Sequence, residues 1–352
     1  MPMLAFVISF LITYISIPSI IQVAKIKHLF DEPDSRKLHK SKVPTLGGLA
    51  IFAGASIAAL LFCDFTKLAD LQYLVAAMII LFFLGIKDDI IILSPTTKFI
   101  GQFIAAFVIV WLGDIRLTTF GGVFGIHTIS YELSIVFSIL TIVTIVNSFN
   151  LIDGIDGLAG TISFIVISAY AAWFYNVGET ANQLFVFSLA VMGGLLAFLR
   201  FNITPAKIFM GDTGSLLMGT IIAVLTLEFI NLNHKIVSVH RLSTAPVLAF
   251  GIMIIPLYDL LRVFTVRIIR KKSPFHPDKI HVHHKLLELG LTHLQATFVL
   301  GLVNVFFIIF LFVFQEYNIT LLMLAVIILA SGFTILLWAL TKYKKQKINV
   351  KN

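Results

Sequence analysis

The chain has little charge. Of its 352 residues only 12% are Asp, Glu, Lys or Arg, while 59% are hydrophobic. Soluble domains carry about 25% charged residues, so a soluble fold is excluded and a polytopic membrane protein is implied. Cysteine is almost absent. The single Cys63 excludes an intrachain disulfide and reads as a small packing residue in an apolar run. No stretch is polar enough for a separate soluble domain, and no convincing internal repeat is visible. The first apolar run, 3–24, lacks the basic residues that lead a signal peptide. Its basic cluster follows instead, so it reads as a retained span.

What the chain has is long apolar runs. About 17–25 apolar residues cross a bilayer. Runs near 3–24, 45–63, 71–86, 99–113, 133–150, 158–175, 183–199, 213–230, 244–268, 294–315 and 319–340 predict eleven spans. The 99–113 run is short. The 244–268 run holds Pro246 and Pro256, which predict a kink or break. The expected fold is therefore an all-α polytopic membrane protein. One transmembrane unit covers 1–341, and a basic tail, 342–352, anchors on anionic lipid.

Eleven spans put the termini on opposite sides and sort the loops into two sets. One set carries 22 of the 26 Lys and Arg residues; the other has only Lys67, Arg116, Lys235 and Arg241. The positive-inside rule makes the first set cytoplasmic, with the N-terminus outside and the C-terminus inside. The net charge of +8 thus marks a membrane orientation and argues against a nucleic-acid partner. Seven of the ten His residues fall on the same side. So do the five polar clusters, as expected of an enzyme or transporter with a cytosolic ligand.

The first cluster is the loop DEPDSRKLHKSKVPTLGG, with Asp31, Asp34, Arg36, Lys37, His39, Lys40 and Lys42. It reads as a positive-inside loop or as a cationic rim for an anionic substrate. The second is Asp88–Asp89 at the end of the third span. Adjacent carboxylates repel unless a cation sits nearby, and Lys98 is within reach. The third is NSFNLIDGIDGLAGT, 147–161. Asn147, Asn150, Asp153 and Asp156 recur every three residues, which on a helix lays them along one side. Such groups at a span end are expensive unless they face water, a metal or a ligand. Glycines 154, 157 and 160 would admit a backbone or a phosphate. The fourth is FMGDTGSLLMG, 209–219. Asp212 opens a span there, either as a cap or as a metal ligand beside N–H groups that suit a phosphate. Phe209 faces lipid or stacks on a flat base. The fifth is HPDKIHVHHKLLELG, 276–290, with His281, His283 and His284. No cysteine lies nearby, so a phosphate or sugar site fits better than zinc. Hard oxygen ligands favour Mg²⁺ or Mn²⁺, and Mg²⁺ typically takes one or two protein ligands plus substrate phosphates. The set points to a nucleotide diphosphate at the membrane surface.

These five motifs, in this order, resemble the polyprenyl-phosphate N-acetylhexosamine-1-phosphate transferases from Asp31 to about Gly290. The family includes bacterial undecaprenyl-phosphate GlcNAc-1-phosphate transferases and the phospho-MurNAc-pentapeptide translocase. HVHH, in place of three consecutive His, looks more like the first of these. The resemblance implies transfer of HexNAc-1-phosphate from UDP-HexNAc to undecaprenyl phosphate, with release of UMP. This is the first membrane step of a cell-surface polysaccharide, in a bacterial cytoplasmic membrane. It implies Mg²⁺ on Asp212 and Asn150, uracil stacking on Phe209, and Lys98 near the diphosphate. Asp153 and Asp156 would orient the uridine or the metal's waters, with Asn147 beside them. His281, His283 and His284 would face diphosphate and sugar. Asp88 and Asp89 would be catalytic, Asp88 acting on the lipid phosphate either as base or as a positioning group. Rival readings are the pentapeptide translocase and a transporter or flippase. The sugar epimer, the oligomeric state (a homodimer included) and the role of Asp259 stay open.

Overall fold

The computed structural model describes residues 1–30, 43–66, 71–237, 239–273 and 280–349. Residues 31–42 of the first cluster, among them the expected substrate-binding Lys42, lie outside the described residues. Apolar runs in lipid must satisfy their backbone internally, which selects helices. The helices are α1 (Pro2–Ile26), α2 (Gly47–Phe62), α3 (Leu71–Ile90), α4 (Pro95–Phe107), α5 (Tyr131–Ile152), α6 (Leu158–Val177) and α7 (Asn182–Asn202). They continue with α8 (Gly211–Lys235), α9 (Ala245–Ile252), α10 (Ile254–Ile269), α11 (Val282–Glu288), α12 (His293–Val313) and α13 (Ile319–Asn349). Among the described residues, seven segments are long and apolar enough to cross a membrane, or eight if the bent pair α9–α10 counts as one. One of the seven, Leu158–Asn202, comprises α6 and α7, which pack on each other across a turn at 178–181.

Polar side chains start several helices. Ser94 caps α4, accepting from Thr97 N–H at 3.2 Å with Pro95 in the first turn. Thr292 and Gln295 form a reciprocal capping box on α12. The broken span differs in detail from expectation. Its two halves meet at 82° around Met253. Pro246 and Pro256 lie in the first turns of α9 and α10, where a missing N–H costs no helical bond, so each starts a helix.

The core sits on α8. Within its most apolar stretch 89% of residues are buried, against 17% for α13. Helices α2, α3, α5 and α6 pack around it. Close approach at the Gly211 end depends on glycine. A Cβ on Gly48 would lie 2.2 Å from Gly214 N, and one on Gly85 would lie 2.4 Å from Thr213 Cα. At the Lys235 end, the sequence reading missed a two-stranded antiparallel hairpin, β1 (Thr119–Val123) with β2 (Ile126–Thr128). Asn231 on α8 ties the entry to this hairpin, accepting from Thr118 Oγ1 at 2.9 Å and donating to Arg116 O at 2.6 Å. The sequence reading also missed α11. The basic tail continues α13 as far as Asn349, and two of its lysines engage α11. Lys345 pairs with Glu288 of α11 at 3.1 Å, and Lys344 donates to Glu288 O at 3.3 Å.

Candidate active site

Four helices bring chemistry to the Gly211 end of α8. Asp88 ends α3, Lys98 lies in the first turn of α4, Asn150 is near the end of α5, and Asp212 opens α8. Lys98 Nζ pairs with Asp88 Oδ2 and lies 2.7 Å from Asp212 Oδ2. Asn150 donates to Asp212 Oδ1, and its Nδ2 also reaches Ser215 Oγ at 2.9 Å. Asp88 Oδ1 accepts from Leu93 N–H at 2.7 Å, which closes the turn between α3 and α4. Of the Asp88–Asp89 pair, Lys98 thus reaches Asp88.

The two adjacent aspartates diverge, because neighbours on a helix point about 100° apart. Asp89 turns to the start of α8. It accepts from Asp212 N–H at 2.8 Å and from Thr213 N–H at 3.0 Å, and from Thr213 Oγ1 at 2.6 Å. This corrects two expectations. The α8 N-terminus is capped by Asp89, so those N–H groups are not open to a phosphate. Asp212 itself is not the cap; its carboxylate is held outward for Lys98 and Asn150.

The Asn/Asp ladder does not form one face. Helix α5 ends at Ile152, so only Asn147 and Asn150 are helical. Asn147 pairs amide to amide with the buried Gln102 of α4, donating to its Oε1 at 2.7 Å. Asp153 accepts from Gly211 N–H. Burial, then the charges of Asp212 and Asp89, push its carboxyl up to about 8. Asp156 is buried and fastens loops, accepting from Ala206 N–H at 3.2 Å and facing His293 Nδ1 at 3.1 Å. The structure thus brings Asn150 and Asp153 to Asp212, and places Asn147 and Asp156 in structural ties. The glycines serve packing. Gly157 turns the chain at φ +76° into α6, Gly160 abuts Leu199, and the ring of His283 fills the space over Gly154.

That last contact joins the fifth motif to the third. His283 Nε2 would lie 2.7 Å from a Cβ on Gly154. The three His rings cluster: His281 stacks on His283 at 5.7 Å, and His283 meets His284 at 4.2 Å. Burial, then the neighbouring His284, hold the His283 imidazole down to about 3, so it is neutral at physiological pH. Its Nε2 is buried and has no hydrogen-bond partner among the described residues. Sequence reasoning left Asp259 unassigned. It accepts from His281 Nδ1 at 2.8 Å, Arg262 Nη2 at 2.7 Å and Val282 N–H at 3.2 Å. The only sequence signal was a carboxylate inside an apolar run. Ser215 stood in the sequence as a neighbour of Asp212 in the fourth motif; Gln102 gave no signal.

Phe209 is half-buried. Its N–H donates to Pro44 O at 2.7 Å, and its C=O accepts from Gly47 N–H at 2.9 Å, which locks the TLGG segment beside the site. An apolar cavity of about 550 Å³ runs between α5, α8, the α9–α10 bend and the hairpin, lined by Phe120, Ile145, Met253, Leu257 and Leu261 among others.

The metal expectation can be tested on the donors. No group of three or more His, Cys, Asp or Glu fit to hold a metal occurs among the described residues. A cation that takes one or two protein ligands and the rest from substrate does not need such a group. Asp88 and Asp212 converge on one ammonium, so their oxygens already meet around a positive charge. Asn150 presents its NH₂ to Asp212, and turning the amide would present its oxygen to a cation there. The donor set fits Mg²⁺ or Mn²⁺.

Residues 71–230 match the family model described as glycosyl transferase family 4. A probable undecaprenyl-phosphate N-acetylglucosaminyl 1-phosphate transferase of Bacillus subtilis is 34% identical, over 92% of this chain and 88% of the relative. An undecaprenyl-phosphate alpha-N-acetylglucosaminyl 1-phosphate transferase of Haemophilus influenzae is 33% identical, over 86% and 84%. A decaprenyl-phosphate N-acetylglucosaminephosphotransferase of Mycobacterium leprae is 30% identical, over 77% and 73%. With that identity over most of both chains, and with Asp88, Lys98, Asn150 and Asp212 gathered inside the matched segment, the chain belongs to glycosyl transferase family 4.

Proposed function

We propose that this protein transfers GlcNAc-1-phosphate from UDP-GlcNAc to a polyprenyl phosphate such as undecaprenyl phosphate, releasing UMP. The observation that carries the reading is the convergence of Asp88, Lys98, Asn150 and Asp212 from four helices on one point. The names of the relatives support the sugar and the lipid. The apolar runs and the charge distribution of the sequence support eleven crossings, with the N-terminus outside and the site facing the cytoplasm of a bacterial inner membrane.

In this reading an oxygen of the lipid phosphate bonds to the sugar-bearing β-phosphorus of the donor. The bond from that phosphorus to the bridging oxygen breaks, and UMP leaves with the bridging oxygen. Phosphoryl transfer is mostly positioning and charge neutralisation. Lys98 supplies a fixed cation where the phosphates meet, and Asp88 sets its place. A phosphate monoester has a second pKa of about 6, so the acceptor is mostly dianionic at neutral pH and needs no strong base. Asp212 and Asn150 would hold Mg²⁺. When bound, Mg²⁺ would neutralise charge building on the diphosphate. Phe209 stacks on the uracil, and His281, His283 and His284 face diphosphate and sugar. The apolar cavity beside α10 takes part of the prenyl tail.

The test is purified protein with undecaprenyl phosphate and a panel of UDP-sugars. UMP release and lipid mass are read with and without a chelator. Product with UDP-GlcNAc, lost on chelation, is expected. No lipid product with any UDP-sugar would refute the reading.

A further inference from the structure

A buried carboxylate in an apolar helix is costly unless its partners repay it. Asp259 has only 4% of its side chain exposed, and its donors come from two directions. Arg262, one turn along the same helix, reaches it with Nη2 and also donates to Ile280 O at 2.6 Å. His281 Nδ1 and Val282 N–H approach from the other segment. The pair therefore grips the backbone on both sides of His281 and the ring itself. Helix α11 begins at Val282 without a side-chain cap from His281, so Asp259 stands in for the missing cap residue. The rings of His283 and His284, 5.7 and 5.8 Å from His281, are its near titratable neighbours on α11. His293 on α12 is engaged with Asp156. Asp259 lies between Leu257 and Leu261, which line the apolar cavity.

We propose that Asp259, steadied by Arg262, is the positioning residue for His281, holding the imidazole by Nδ1 so that Nε2 is left for the donor's diphosphate. A hydrogen bond to one ring nitrogen sets which tautomer and which orientation the other nitrogen presents. This rests on the transferase reading above, and it adds a residue that touches no substrate.

The experiment uses the whole purified protein with UDP-GlcNAc and undecaprenyl phosphate. It compares Asp259→Asn, His281→Ala and the double variant. Asn keeps the shape and one acceptor oxygen. Losing such an outer partner typically costs about 10–100-fold. Asp259→Asn should lower kcat by that order, with both KM values within about threefold. The double variant should be no slower than His281→Ala alone, because Asp259 acts through that ring. Losses that multiply, or wild-type kcat in Asp259→Asn, would overturn the proposal. A second arm needs no activity and no stable Asp259 variant. With ring-¹⁵N histidine in the wild-type protein, the signal missing from His281→Ala should be that of a ring protonated on Nδ1. A proton on Nε2 alone would also overturn it. If the wild type makes no lipid product, the transferase reading fails while this arm still judges Asp259.

Discussion

Two polar clusters are buried to different depths, and they behave differently. Around Asp212, the side chains of Lys98 and Asp212 are 26% and 27% exposed, above an Asp88 side chain that is 2% exposed. Around Asp259, the carboxylate and His281 are 4% and 6% exposed. The first cluster packs two carboxylates on one ammonium at the mouth of the bundle, where an incoming phosphate or cation would re-sort them. The second satisfies the Asp259 carboxylate with three internal donors, which fix the His281 ring. Access through Lys98 and Asp212 therefore separates a cluster that reacts from one that holds another group in place. Removing charge from the first should cost turnover more than stability, and the reverse should hold for pure scaffolding groups.

The largest effect expected is at Asp212. Asp212→Asn keeps the shape and removes the charge. Activity should fall at least about 100-fold, the scale of one strong electrostatic stabiliser, while the thermal midpoint stays near wild type. Near-normal turnover at ordinary Mg²⁺ would erase the distinction drawn between the clusters.

Asp88 comes next, and it decides between a base and a positioning group. If Asp88 removes a rate-limiting proton, the Asp88→Asn defect should shrink between pH 6 and about pH 9, where the lipid phosphate is dianionic without help. The ion pair with Lys98 and the bond from Leu93 N–H support a positioning role. A roughly constant defect, about tenfold or more, is expected in a pH–rate profile. A profile that climbs to meet wild type would restore the base.

Much of this was legible in the sequence, for physical reasons. Lipid demands long apolar runs, so the long helices fall close to the expected apolar runs, with seven or eight segments among the described residues long and apolar enough to cross. Polar groups at span ends are costly, so Asp88, Asn150 and Asp212 stood out. What stayed hidden was pairing across the bundle. Nothing local says that Asp89 turns to Thr213, 124 residues away, or that Asn147 meets Gln102 across 45 residues. The three-residue ladder misled, because it assumed that α5 continues past Ile152. The hairpin was missed because Thr119–Val123 and Ile126–Thr128 are too short, and too rich in glycine, to carry a strand pattern. Asp259 was visible as an anomaly, but its partner His281 lies 22 residues on, in another segment.

His283 gives a smaller effect, read in stability. Its folded pKa is about 3, below the ordinary 6.5. Between those values the unfolded chain binds the proton and the folded one does not. Stability is therefore full above pH 6.5 and falls as pH drops toward 3. From pH 7 to pH 5 the loss due to this one group is about 2 kcal/mol. Thermal melts of the wild type should fall over that range by several degrees more than those of His283→Gln. Equal slopes would mean that the ring takes up its proton in the fold.

The smallest effect sharpens the contrast inside the aspartate pair. Asp89 holds the first N–H groups of α8, so it belongs with the scaffold although its neighbour belongs with the chemistry. Replacing a cap by Ala costs about 1 kcal/mol, while Asn caps nearly as well as Asp. Asp89→Ala should therefore lower the thermal midpoint, and the Asp212 carboxylate it steadies should lose activity with it. Asp89→Asn should keep the midpoint and most of the turnover, because an amide oxygen still accepts from the α8 N-terminus. Had Asp89 acted directly on the lipid phosphate, the loss of its charge would matter whatever the cap does. Asp89→Asn would then fall toward the level of Asp212→Asn with an unchanged melt. That combination of a wild-type midpoint and a collapsed turnover would move Asp89 from the scaffold to the reacting cluster.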